Sequence, residues 1–353
     1  MNRKYLLLLL IMSLFLWGCS SAPAQPQPTA VTEPAQTQPP ETEAPTTAPT
    51  ETEPKPERFL LTFAGDCTFG GTTANHYALY GFPKTVGEDY RYPFANVISY
   101  FENDDFTMVN LEGPLCDSGG PVQKKHTFRG PTSYVNILTE NSVEAVTLAN
   151  NHSLDYGRNG YAATVSTLEA AGVPYVEENA STVLTTESGL TIGLYAAVYY
   201  SLDMEDMVAE ITSMKEQGVD VIIFAPHWGA ELYYEPNEIQ RQFGYAAIDA
   251  GAHIVYGSHP HVLQPVEEYN GGVIYYSLGN FSFGGNIYPS DFDTALIQQE
   301  IIRDPDGTIR LGEMTAVPCC VSSVADHNNF QPTPYARDSA EYERVMDKLG
   351  LGQ

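Results

Sequence analysis

Basic residues are scarce in this chain. Its 353 residues hold 17 Lys and Arg against 44 Asp and Glu, a formal net charge of −27 at pH 7. No basic patch can offset that field, which excludes sequence-independent binding of nucleic acid. Cation binding suits the charge. A polyanionic partner would need metal or local basic residues to screen it. Cysteine is also sparse. None of the five cysteines stands in Cys-x-x-Cys spacing, which argues against a thiolate zinc site. The N-terminal apolar run, Tyr5 to Trp17, has 13 residues, short of the about 20 that a membrane helix needs. No internal repeat is present. What remains is 43% hydrophobic and 17% charged, the make-up of a globular protein with a core. The length allows one large domain or two small ones.

The N-terminus reads as a processing signal. Arg3-Lys4 precedes the apolar run, and Leu16-Trp17-Gly18-Cys19 follows. A small residue before a cysteine there is a bacterial lipobox pattern, although Trp17 fits it less well than a small residue. Cleavage before Cys19 and lipidation of its thiol are expected, so 1–19 is a lipoprotein signal peptide. The protein is then extracytoplasmic and anchored by lipid to the bacterial cell membrane. Residues 20–58 hold ten Pro among 39 residues, with many Thr, Glu and Gln. They cannot bury enough surface to fold. They read as an extended tether that lifts a domain off the membrane. The folded domain is expected over 59–320, with a C-terminal tail over 321–353 that ends in a helix, Ser339 to Leu349. Export permits disulfides. Cys67, Cys116, Cys319 and Cys320 allow three connectivities, and the sequence does not choose among them.

Polar clusters recur after apolar strands. Phe59 to Ala64 is a continuous apolar run that ends in Gly65-Asp66. Asp66 is a candidate ligand; the plainer reading is a helix N-cap. Pro93 to Phe101 has helical spacing, and Thr132 to Thr139 suits a short helix. Phe106 to Val109 leads into Asn110-Leu111-Glu112, whose alternation points Asn110 and Glu112 the same way. Lys124, Lys125, His126 and Arg129 crowd one loop. An anion-binding loop and a solvated surface loop fit it equally. Val143 to Leu148 feeds Asn150-Asn151-His152 with Asp155, ahead of a helix from Gly160 to Gly172. Val219 to Ala225 ends in Pro226-His227-Trp228-Gly229-Ala230-Glu231. Ala252 to Tyr256 ends in Gly257-Ser258-His259-Pro260-His261, where alternate imidazoles of an extended segment share one side. His253, inside that strand, reads as a core histidine. A further strand ends in Ser277-Leu278-Gly279-Asn280.

Strand ends are where open α/β sheets bind ligands. Asp66, Glu112, Asn151, His152, His227, His259 and His261 are mixed N and O donors. They suit a dinuclear centre of Mn, Fe or Zn rather than Ca or Mg. Two metals about 3.5–4 Å apart activate a water and clamp a phosphate. Glu112 is placed to bridge. His152 is the candidate general acid, with Asp155 orienting its imidazole.

These motifs, in this order from about Phe59 to Phe283, resemble the poly-γ-glutamate capsule biosynthesis proteins of the CapA/PgsA type. That family is similar to calcineurin-like metallophosphoesterases. The resemblance implies an α/β fold, a four-layer αββα sandwich of two packed mixed sheets flanked by helices. It implies that Asp66 and His261 hold one metal, Asn151 and His227 the other, with Glu112 bridging and His259 completing the second site. Asn110, Lys125, Arg129 and Asn280 are the expected substrate or anion contacts. One motif differs. Metallophosphoesterases usually begin with Asp-x-His, and this chain has Asp66-Cys67-Thr68, one imidazole fewer. The role implied is synthesis, export or anchoring of poly-γ-glutamate, with the polymer or its synthase complex as partner. The alternatives are an exported dinuclear phosphoesterase and a non-catalytic scaffold that keeps the fold.

Overall fold

The computed structural model describes residues 54–352 except 73, 76 and 77. The signal segment, Cys19 and most of the tether lie outside the described residues. Glu53–Gln353 forms one compact unit.

The strands in chain order are β1 (Glu57–Phe63), β2 (Asp66–Thr68), β3 (Gly71–Thr72), β4 (Phe106–Asn110), β5 (Phe128–Arg129), β6 (Ala145–Thr147), β7 (Tyr175–Val176) and β8 (Ala180–Thr185). Then come β9 (Thr191–Val198), β10 (Val221–His227), β11 (Ile254–Tyr256), β12 (Val266–Tyr269), β13 (Gly272–Tyr275), β14 (Asn280–Phe283), β15 (Asp293–Arg303), β16 (Ile309–Cys320) and β17 (Thr333–Pro334). The α-helices are α1 (Phe82–Val86), α2 (Ile98–Phe101), α3 (Asn136–Thr139), α4 (Gly157–Ala171), α5 (Met204–Glu216), α6 (Glu238–Ala250) and α7 (Ala340–Lys348).

One sheet runs β17-β16-β15-β1-β4-β6-β7 and the other β12-β13-β11-β10-β9-β8. Both are mixed. Strands β1, β4, β6 and β7 are parallel, while β15 and β16 are antiparallel to their neighbours. In the second sheet β9, β10, β11 and β13 are parallel, with β8 and β12 antiparallel at the edges.

Three apolar layers explain the stacking. The inner layer takes Leu61, Phe63 and Ile297 from one sheet and Leu194, Ile223 and Tyr275 from the other. The outer face of the first sheet packs Val109, Val146 and Leu296 against Phe94, Tyr134 and Leu168. The outer face of the second packs Ile222, Phe224 and Val255 against Met207, Ile211 and Ala247 of α5 and α6. Successive residues of β10 thus enter different layers. That is why its sequence is apolar without alternation, as expected of a parallel strand buried on both faces. The result is a four-layer αββα sandwich.

Local signals set the element ends. Asp203 caps α5 by accepting from the amides of Glu205 and Asp206, and Asn237 and Gln240 form a capping box on α6. Gly172 ends α4 in the left-handed region. Two expectations change. The segment 93–101 is a 3₁₀ turn, Tyr92–Phe94, followed by the single turn α2. The segment 132–139 is likewise a 3₁₀ turn, Thr132–Val135, that runs into α3. Both turn types return a side chain to one face every three to four residues, so apolar spacing does not distinguish them. Phe94, Val97 and Phe101 are buried all the same.

The C-terminal elements pack into the fold. β1 starts at Glu57, two residues ahead of the expected domain boundary. β17 extends the first sheet beyond β16. Val345 of α7, and Leu349 just after it, join the layer between the sheets. The buried carboxylate of Asp293 accepts two bonds from Arg344, both 2.7 Å, one from Lys348 at 2.8 Å and one from the Tyr335 hydroxyl at 3.0 Å. Burial alone would raise its pKa, but Arg344 and Lys348 outweigh that and hold it below the usual range. Among the described residues all four cysteines are free thiols, and no helix is long and apolar enough to cross a membrane.

Candidate metal centre

The carboxyl ends of the parallel strands meet along one edge of the sandwich. Asp66 follows β1, and Glu112 lies just past β4. Asn150-Asn151-His152 follow β6, His227 ends β10, His259 and His261 follow β11, and Asn280 follows β13. Asp66 caps no helix; it opens β2, which pairs in parallel with β14 so that Asp66 sits opposite Asn280. Glycine makes that approach possible. A Cβ at Gly65 would lie 2.2 Å from the carbonyl oxygen of Gly279.

Carboxylates and imidazoles form the floor. Asp66 and Glu112 are fully buried. His261 Nδ1 lies 3.1 Å from Asp66 Oδ2 and 3.0 Å from Asn280 Oδ1, and its Nε2 lies 3.7 Å from Glu112 Oε1. Asn110 sits beneath. It donates to Asp66 Oδ1 at 2.9 Å and accepts from Asn150 at 3.1 Å. His227 Nε2 lies 3.0 Å from Asn151 Oδ1, and its Nδ1 lies 2.9 Å from the hydroxyl of Ser258. His259 packs on His227, with ring centres 4.6 Å apart, and on Tyr199 at 5.3 Å. His259 (φ 99°) and His261 (φ 56°) both occupy the left-handed region, rare for residues with a side chain and concentrated at functional sites.

His152 and Asp155 are joined by a 2.6 Å contact from Nδ1 to Oδ2. That leaves His152 Nε2 facing inward, 3.8 Å from Glu112 Oε1. Asp155 also accepts from the Phe128 amide at 2.7 Å and from Lys124 at 3.1 Å. Lys124 further donates to the carbonyl of Asn151 at 2.6 Å. The cationic loop therefore divides. Lys124 enters the centre, which its sequence neighbours did not reveal. Lys125 and His126 line an open cleft of about 720 Å³ beside His152, His261 and Asn280. Arg129 lies elsewhere, its guanidinium 4.9 Å from the centre of the Tyr156 ring. His253 accepts from the amide of Ile222 at 3.1 Å, away from the cluster.

The donors fit a cation. Two buried atoms here have no hydrogen-bond partner, Glu112 Oε1 and His259 Nδ1, and buried polar atoms are ordinarily paired. Ligand atoms of Asp66, Glu112 and His261 all lie within 4.8 Å of one another. The electrostatics agree. Burial pushes Glu112 up to about 8, against the pull of His261. Burial would lower His261, but Glu112 and Asp66 together raise it to about 9. His259, buried and beside His261, falls to about 4, and burial also holds His152 and His227 below the imidazole range. A single imidazole thus stands between the acids Asp66 and Glu112, where a divalent ion would carry more charge.

A pH dependence follows for the metal-free protein. Both shifts are upward, so both contributions are complete at low pH and fade as pH rises, through about 8 for Glu112 and about 9 for His261. The melting temperature of the chelated protein should fall between pH 6.5 and 9, and divalent metal should flatten that fall. A chelated protein whose melting temperature is level across this range would contradict the assigned charges.

A two-sheet αββα sandwich with imidazoles and carboxylates gathered at its strand ends is the class of protein seen here. The family described as "Bacterial capsule synthesis protein PGA_cap" matches residues 60–285, well over half of the chain. The chain belongs to that family. It is 29% identical over 280 residues to the "PGA biosynthesis protein CapA" of Bacillus subtilis (strain 168), a match that covers 72% of this chain and 70% of that protein. It is 28% identical over 335 residues to the "Capsule biosynthesis protein CapA" of Bacillus anthracis, covering 84% and 78%. Among solved structures, the NAD nucleotidase NadN of Haemophilus influenzae overlaps 84% of this chain and 63% of its own, with 10% identity and a TM-score of 0.43. That overlap is too loose to compare sites.

Proposed function

We propose that this protein serves poly-γ-glutamate synthesis, export or anchoring at the cell surface, through a divalent-metal site at the strand ends. Family membership supports the polymer, since relatives of this chain are named for PGA and capsule biosynthesis. The observation that carries the metal is the buried, unpartnered Glu112 Oε1 among Asp66, His261 and His152. Lipid attachment at Cys19 and the Pro-rich tether complete the reading by holding the domain outside the membrane.

Asp66, Glu112, Asn151, His227, His259 and His261 are the residues that would hold Mn, Fe or Zn, with room for two ions in the proposal. Such ions supply charge neutralisation and an activated water. The chain's own groups do the rest. Asp155 fixes His152 so that Nε2 faces the cluster, placed to give a proton to a leaving oxygen. Lys125, His126 and Asn280 line the cleft where an anionic chain would lie. In cells, His152→Ala and His261→Ala should each abolish surface polymer; unchanged polymer with either variant would sink the proposal.

A second reading, hydrolysis of phosphate esters, is favoured by the His152–Asp155 pair beside the carboxylates. It predicts turnover of an aryl phosphate by the purified protein with Mn, Fe or Zn added. If metal analysis of the purified protein finds no bound ion, the non-catalytic scaffold replaces both.

A further inference from the structure

We infer that Glu231 is a metal ligand, closing the cleft-facing side of the centre with His259 and His261. This rests on the reading that the centre binds divalent ions, and it names a donor outside the strand-end set.

Glu231 lies four residues past the end of β10, in a loop that turns back over the histidines. Its ligand atom lies within 4.8 Å of ligand atoms of both His259 and His261. His261 therefore belongs to two sets of donors, one buried with Asp66 and Glu112, the other at the cleft with His259 and Glu231. His259 is 6% exposed, and its Nδ1 is buried without a partner. A buried imidazole nitrogen left bare is costly unless something binds it. The carboxylate of Glu231 sets a negative charge beside both imidazoles. A bound cation would use the same field.

The placement of Glu231 is built into the backbone. The amide of Leu232 donates to the carbonyl of Pro260, the residue between the two histidines, at 2.8 Å. The carbonyl of Tyr233 accepts from Gln264 at 2.9 Å, and Gln264 in turn accepts from Gln240 of α6 at 2.8 Å. Gly229 and Leu232 supply the positive φ angles, 81° and 62°, that bend the loop inward. The acid is thus tied to the His-Pro-His turn. Thr68 offers no imidazole on the opposite side; its hydroxyl is engaged by the carbonyl of Glu112 at 2.9 Å. A carboxylate from the cleft side fills the coordination that this leaves short. Because Glu231 is exposed and lines the cleft, it is also the ligand an incoming carboxylate or phosphate would displace first.

The test is titration of the metal-stripped protein with Mn²⁺, followed by calorimetry and electron paramagnetic resonance. Glu231→Gln is compared with Glu235→Gln, which removes the same charge from an exposed position of the same loop. Glu231→Gln should lose one bound ion per chain or weaken its binding at least about tenfold, with an altered Mn²⁺ spectrum. Glu235→Gln should match the parent. Equal stoichiometry, affinity and spectrum in Glu231→Gln would overturn the inference, as would an equal loss in both variants, which would show a field effect only. If the parent binds no Mn²⁺ or Zn²⁺, the metal reading itself fails, and this inference with it.

Discussion

The metal-free His261→Ala protein should be less stable than the metal-free parent by about 3–5 kcal/mol, the usual cost of stripping the partner from a buried charge. Domains are stable by only about 5–15 kcal/mol in total, so the variant stands near the limit of folding. His261 holds the only charge between Asp66 Oδ2 at 3.1 Å and Glu112 Oε1 at 3.7 Å among the described residues. Without it two acids share a dry site. The His261 contribution is complete at low pH and fades as pH rises through about 9, so the loss should be larger at pH 5 than at pH 8. The same variant removes the donor that both ligand sets share. Its Mn²⁺ affinity should drop by more than about 100-fold, since outer partners of metal ligands alone contribute about 10–100-fold. Urea unfolding at both pH values, with chelator and then with Mn²⁺, reads both effects. A metal-free variant as stable as the parent at pH 8 would show that His261 carries no charge there.

A chain that ends at residue 338 should not fold cooperatively. Truncation removes α7, with Val345 and Leu349 from the inter-sheet layer. Each buried apolar side chain contributes about 1.5–3 kcal/mol. It also removes Arg344 and Lys348, which together supply three of the four bonds to the buried Asp293. An unpaired buried carboxylate adds about 3–5 kcal/mol. The combined loss is comparable to the whole stability of a domain. Thermal unfolding of residues 54–338 beside 54–353 checks it. A sharp transition within about 5 °C of the longer chain would mean that α7 is an accessory.

The strand ends were legible in the sequence for a physical reason. Strands β1, β4, β6, β10 and β11 run into buried apolar residues before they end, so they read as short apolar runs, and any ligand-type residue at their ends stands out. Asp66, Glu112, Asn151, His152, His227, His259 and His261 were found that way, and the structure gathers them along one edge. What was not legible depends on contacts distant in sequence. Lys124 and Lys125 are neighbours with different surroundings, Lys124 on Asp155 and the carbonyl of Asn151, Lys125 at the cleft. Glu231 looks like any exposed acid until the Leu232–Pro260 hydrogen bond folds it over the histidines. Asp293 opens an ordinary strand, and nothing nearby marks it as the anchor of a helix some fifty residues on. Ser258 supports His227 through a hydrogen bond, and Tyr199 supports His259 through ring stacking.

The position of β1 has a kinetic consequence. It lies in the interior of its sheet, between β4 and β15, and its pairing runs from Glu57↔Arg303 to Phe63↔Ile297. The first strand of the domain thus waits for a partner some 240 residues later, and β15 in turn needs α7 to neutralise Asp293. Contacts of such long range form slowly, because a large loop must close before they contribute anything. Until β15 has emerged, one edge of β1 has no partner. The strand that leads to Asp66 is thus closed by an element that follows every other donor of the centre in the chain.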